Sequence, residues 1–120
     1  MGWLRRLANS AQDVEAADLR DATAVLGATA TCDCRAGDYA CVYGSIRSLT
    51  IRPDARTLVT QAELWDGAGA MTLVWLGRTA IPGVVLGSTM MAVGRVARSS
   101  EHGSLVMYNP RYQLMPRAST

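Results

Sequence analysis

From Tyr39 onward the chain alternates apolar and polar residues with a period of two, cut by turn signals about every ten residues. That pattern constrains the fold more than anything else in the sequence. Val42, Gly44 and Ile46 fall on one side of a strand, with Cys41, Tyr43, Ser45 and Arg47 on the other. Leu49 and Ile51 are apolar but out of phase with the first set, so the parity slips near Ser48 and predicts a β-bulge. Arg52-Pro-Asp-Ala-Arg56 reads as a turn. In the second strand Leu58, Thr60, Ala62 and Leu64 oppose Val59, Gln61, Glu63 and Trp65. Asp66-Gly-Ala-Gly69 is a hairpin signal, and Met71, Leu73 and Trp75 continue as a third strand. Residues 77–87, broken by Gly77, Pro82, Gly83 and Gly87, read as a crossover with room for one helical turn. Met90, Ala92 and Val96 alternate with Met91, Val93 and Arg95 as a fourth strand. Ser104 to Tyr108 is a fifth, stopped by Asn109-Pro110.

Five strands, the first long and bent, suit an all-β, closed or nearly closed Greek-key barrel. A sandwich needs about seven strands. Ahead of the strands, Ser10 and Asp13 resemble a helix start, Ala16, Ala17, Leu19, Ala22, Val25 and Leu26 supply helix formers, and Gly27 marks the end. Trp3, Leu4 and Leu7 read as a short amphipathic turn before that helix, either a partner or membrane-surface contact, or a frayed terminus or a cap over the barrel's open end. The expected organisation is an N-terminal helix and connection over 1–38 and a barrel over 39–120.

At 120 residues and 49% hydrophobic, the chain can bury one modest core. Its basic charge is all arginine, twelve of them with no lysine, and phenylalanine is absent too. The net charge of +2 is unevenly divided. Residues 1–40 carry more acids than bases, whereas residues 41–120 hold eight arginines against Asp54, Glu63, Asp66 and Glu101. A mild positive excess on the β-rich part favours a polyanionic partner. The longest apolar run, 81–96, is interrupted by Pro82, Gly83, Gly87 and Gly94 and is no bilayer span, and no leader pattern opens the chain. A cytoplasmic protein without membrane partners is the expectation. Cys32, Cys34 and Cys41 fit reduced thiols; with His102 they match no standard zinc spacing, so no metal and no cofactor are expected. One histidine and no phosphate-binding loop give no catalytic constellation, and the expected role is binding rather than catalysis.

Three motifs in order resemble OB-fold nucleic-acid-binding domains. Glu63-Leu-Trp-Asp-Gly-Ala-Gly-Ala-Met-Thr-Leu-Val-Trp75 is similar to their hairpin and third strand. Ile81 to Val96 resembles their approach to the fourth strand. Leu105-Val-Met-Tyr-Asn-Pro-Arg-Tyr-Gln-Leu114 resembles the end of the wedge domain of RecG-type branched-DNA helicases, with Asn109 in place of a histidine and Arg111 in place of a glutamate. The layout of an acidic helix followed by such a domain looks like that of short actinobacterial OB-fold proteins. The resemblance covers about residues 41–114 and implies a five-stranded OB-fold barrel. Helicase activity is not implied, because no nucleotide-binding domain accompanies it.

A barrel of this kind binds single strands across strands two and three, flanked by the loops between strands one and two and between four and five. Such binding needs cations along a groove and aromatic faces for the bases. Trp65 has outward parity on strand two, either as a stacking platform or covered by the helix, and Tyr43 on strand one shares the ambiguity. Arg47, Arg52 and Arg56 on strand one and its loop face Arg95, Arg98 and His102 on strand four and its loop, with Arg78 near the end of strand three. Trp75, Met71, Met90 and Met107 read as core. Tyr112 reads as closing the barrel and Tyr108 as part of the same polar-aromatic end. The expected partner is single-stranded or branched nucleic acid. The alternative is a protein-interaction or self-assembly module with the barrel and the N-terminal helix as docking faces, using an apolar outer set of Val59, Val74 and Leu76 together with Trp3, Leu4 and Leu7.

Overall fold

The computed structural model describes residues 2–54, 56–100 and 103–116, with the side chains of residues 2–9 and of Asp54 outside that description. A helix, α1 (Gly2–Leu26), leads through a single 3-10 turn at Thr31–Asp33 into six strands. They are β1 (Tyr39–Asp54), β2 (Thr57–Trp65), β3 (Ala70–Leu76), β4 (Thr89–Arg98), β5 (Leu105–Tyr108) and β6 (Arg111–Leu114). The sheet runs in the order β1-β2-β3-β5-β4-β6 and closes on itself because β1 also pairs with β4. Every pairing is antiparallel except β3 with β5, which is parallel.

Closure depends on the length of β1. Its first half, Tyr39 to Ser45, pairs with β4, and its second half, Ser45 to Asp54, pairs with β2. The register with β2 shifts between Ile46 and Ser48, leaving Arg47 as the extra residue of a bulge. A bulge bends a strand and strengthens its twist, which lets one strand serve both edges of the ring. The parity slip in the sequence is this bulge. Gly44 lies just before it. A Cβ there would lie 2.4 Å from the Trp65 carbonyl oxygen, so only glycine fits this crossing.

Inside the ring, Val42, Ile46, Leu64, Met71, Leu73, Trp75, Met90, Val96 and Met107 form one fully buried core. Trp75 donates its indole N–H to the Pro110 carbonyl at 3.3 Å and meets Tyr112 edge-on, with ring centroids 5.9 Å apart. Tyr112 in turn donates its hydroxyl to the Pro82 carbonyl at 2.7 Å, which pins the 77–88 crossover over the ring's end.

Three local expectations need correction. The helix does not begin at Ser10. Residues 3–9 contain no glycine or proline, so the helix runs through Ser10, which is no cap. The 77–88 crossover contains turns and no helix, because glycines at positive φ (Gly77, Gly83, Gly87) redirect it repeatedly. A sixth strand follows Asn109-Pro110. Asn109 adopts φ 51 and reverses the chain, so that Arg111–Leu114 pairs with β4.

The C-terminal half of α1 lies on the outer face of the sheet, with Ala16, Leu19 and Thr23 buried beneath it. Its anchor is the β2–β3 turn. Arg20 donates to the Gly67 carbonyl at 3.2 Å, and a Cβ on Gly67 would lie 2.2 Å from the Ala16 carbonyl oxygen. Asp66, only 1% exposed, holds the same turn. One of its carboxylate oxygens accepts the Ala68 and Gly69 amides at 2.9 and 2.8 Å, and the other accepts the Thr31 amide at 2.6 Å. Helix, connecting turn and hairpin therefore meet at one corner. No described helix is long and apolar enough to cross a membrane.

Candidate functional site

The outer face of β1, β2, β3 and β5 can be laid out from the strand registers. One row is Arg52, Val59 and Leu76, the next is Thr50, Gln61, Val74 and Tyr108, and the next is Ser48, Glu63, Thr72 and Val106. Ser45, Trp65 and Ala70 form the last row. A groove of about 420 Å³ crosses this face, with the β4–β5 loop as one wall through Ser99, Ser100 and Ser104. Val59, Val74 and Val106 pack together along its floor, each 5% exposed or less, with Ala97 beside them. Hydroxyls and an amide surround this floor (Thr50, Gln61, Thr72 and the serines). Arg52 is half-buried in the groove, and the Tyr108 ring stands 51% exposed at its side.

This arrangement alters the reading of the outer apolar set. Val59 and Val74 do have outward parity, but they are buried in a small second cluster, and of the three only Leu76 is exposed, at 44%. No continuous apolar patch joins them.

The expected site residues divide between several places. Arg52 lines the groove, while Arg56 in the β1–β2 turn and Arg78 just past β3 are exposed. The register puts both of these at the Arg52 end of the groove, where Gly77 donates to the Leu58 carbonyl at 2.8 Å and Thr60 donates to the Arg78 carbonyl. Arg98 donates to the Gly103 carbonyl at 2.6 Å and so shapes the β4–β5 loop that forms the opposite wall. Arg47, at the bulge, lies 3.3 Å over the Trp65 ring at the far row. Trp65 is thus half-buried, with its face taken by a guanidinium rather than open to solvent. Arg95 points elsewhere: it donates to the Gly37 carbonyl at 2.8 Å and lies 5.7 Å from the Tyr39 ring, beside the β1–β4 seam. His102 lies outside the described residues.

Tyr43 is a correction. Its parity is outward, as the alternation indicates, but it is only 4% exposed because it lies under α1. It offers no open ring. The aromatic that sequence reasoning missed is Tyr108. Its short strand stops at Asn109-Pro110, which pointed to chain closure, whereas the parallel register with β3 brings it beside Val74 on the groove side.

The thiols do not converge into a ligand set. Cys32 is exposed, Cys41 is half-buried, and buried Cys34 donates to the Ala30 carbonyl at 3.5 Å. Burial raises the pKa of Cys34, with Asp38, Asp66 and Asp33 adding to it, and burial raises that of Cys41. Among the described residues no three His, Cys, Asp or Glu side chains are grouped as a metal site.

No protein-family model matches the chain, and no curated protein matches it at a significant level. Among solved structures, it is similar to RecG bound to a three-way DNA junction, with a TM-score of 0.57 and 18% identity. The match covers 70% of this chain and 12% of that one, so this chain has the fold of a small part of a much larger protein.

Proposed function

We propose that the chain is a non-enzymatic nucleic-acid-binding protein of OB-fold architecture, which takes single-stranded or branched nucleic acid in the groove across β1, β2, β3 and β5. The observation that carries this reading is the groove's composition. A half-buried arginine and an exposed tyrosine flank a valine floor rimmed by hydroxyl and amide groups, with further arginines at both ends. Arg52, Arg56 and Arg78 form a cationic approach to phosphates at one end. Tyr108 supplies a flat face for one base, and the serines, threonines and Gln61 supply donors and acceptors that tolerate any sequence. The fold shared with part of a protein bound to a DNA junction supports the same class of partner. Trp65 is secondary in this reading, since a base would have to displace Arg47 to stack on it.

Titration of labelled single-stranded DNA and a branched junction, at about 50 mM and about 200 mM salt, tests the assignment. Affinity is expected to fall steeply with salt. Tyr108→Ala is expected to cost about tenfold, the order of one base stack, and Arg52→Ala to flatten the salt dependence. Both side chains are at least partly exposed, so the fold should tolerate either change. Absence of binding at the lower salt, or binding indifferent to both substitutions, would remove this function.

A further inference from the structure

A second groove, larger than the first, runs along α1. It encloses about 670 Å³ between the helix and the residues after β6, with Tyr43 at its base and Met115 and Pro116 on the far wall. Ala11, Val14, Leu19, Ala22, Val25 and Leu26 make the helix side apolar. Val14 is 61% exposed and Val25 is 85% exposed. A small ligand is a poor occupant, because small-molecule sites combine apolar walls with converging polar groups that fix orientation. Apart from the Tyr43 hydroxyl, the polar side chains here are the carboxylates of Glu15, Asp18 and Asp21, all of one sign.

The charge pattern of α1 itself names the occupant. Residues 10–26 carry Asp13, Glu15, Asp18 and Asp21 against Arg20, whereas the first nine residues carry Arg5 and Arg6 and no acid. Apolar residues continue toward that basic end, with Leu4, Leu7, Ala11 and Val14 spaced alternately three and four apart, as in paired helices. Val14 is the central residue of this 25-residue helix. Two such helices laid antiparallel about Val14 set each basic end against the other's acidic half. A two-fold axis makes that complementarity occur twice.

We propose that the α1 groove is an interface between two copies of the chain, each laying the basic N-terminal end of its helix against the acidic, apolar groove of the other. The surface lies away from the Tyr108 groove and does not depend on what that groove binds.

Sedimentation velocity on the full chain, without nucleic acid, tests this at low and high salt. The expected result is a dimer that weakens as salt rises. Val14→Glu, which sets two like charges together on the axis, is expected to weaken it at least tenfold. Reversing the basic end (Arg5→Glu with Arg6→Glu) or the acidic half (Asp18→Arg with Asp21→Arg) should each give monomer, and combining all four should restore the dimer. Val14, Asp18 and Asp21 are exposed, so circular dichroism should show each fold intact. A monomer at high micromolar concentration would overturn the proposal, as would a dimer untouched by Val14→Glu or a charge reversal without rescue. So would a monomer that binds an apolar dye or a cationic helical peptide in a Val14-dependent way, since that gives the groove another occupant.

Discussion

Replacing Asp66 should separate two contributions to the corner where helix, connection and hairpin meet. Asp66→Ala removes three hydrogen bonds from backbone amides to one carboxylate. The Thr31 amide is enclosed, with its residue 2% exposed, so leaving it unpaired costs about 2 kcal/mol. The Ala68 and Gly69 amides lie in a turn that water can reach, and lose about 0.5–1 kcal/mol each. The total, about 3–4 kcal/mol, is a large share of the roughly 5–15 kcal/mol by which a domain is stable. Asp66→Asn distinguishes the two oxygens. Its amide oxygen can still accept from Ala68 and Gly69, but its NH₂ then faces the Thr31 N–H, donor against donor. Only the Thr31 part is lost, about 2 kcal/mol. Urea denaturation and thermal melts followed by circular dichroism should therefore rank wild type above Asn and Asn above Ala, with melting temperatures lower by about 8 °C and about 13 °C. Equal losses in the two variants, or a loss below about 1 kcal/mol for Ala, would refute the account of the corner.

Other expectations are simpler. Gly44→Ala pushes a methyl group into the Trp65 carbonyl and the Leu64 side chain, and should destabilise by about 3 kcal/mol on the same denaturation assay. Thr31→Val should instead gain up to about 1 kcal/mol, because the buried Thr31 hydroxyl has no hydrogen-bond partner among the described residues and a methyl group fills its space. With a thiol reagent at neutral pH, Cys32 should react first, with Cys41 and Cys34 slower because burial disfavours their thiolates; equal rates at all three would contradict their placement.

The strands were legible in the sequence because a period of two records which side of a sheet each residue faces. The slip at Ser48 even located the bulge, and the inward set on β3 (Met71, Leu73, Trp75) is buried as read. What alternation does not record is whether an outward face is later covered. Tyr43 and Trp65 have equivalent parity, yet α1 covers one and Arg47 lies over the other. Nor does it resolve short pairings. β5 and β6 have four residues each, too few for a period, and the return of β6 onto β4 is set by the Asn109 reversal rather than by pattern. Tyr108 therefore looked like part of a chain end. The helix start was misread for a local reason, since a capping pattern at Ser10 has no effect where helical residues already precede it.

The double pairing of β1 has a consequence for how the ring assembles. Its second half joins β2 and β3 through neighbouring hairpins, contacts that cost little loop entropy. The seam between its first half and β4 links residues about fifty apart in sequence, so closure waits on the whole intervening chain. A nascent or truncated chain lacking β4 would hold the first half of β1 as an unsatisfied ribbon of amides and carbonyls, open to the same segment in a neighbour. Late synthesis of β4 thus decides whether this molecule latches onto itself or strings together with others.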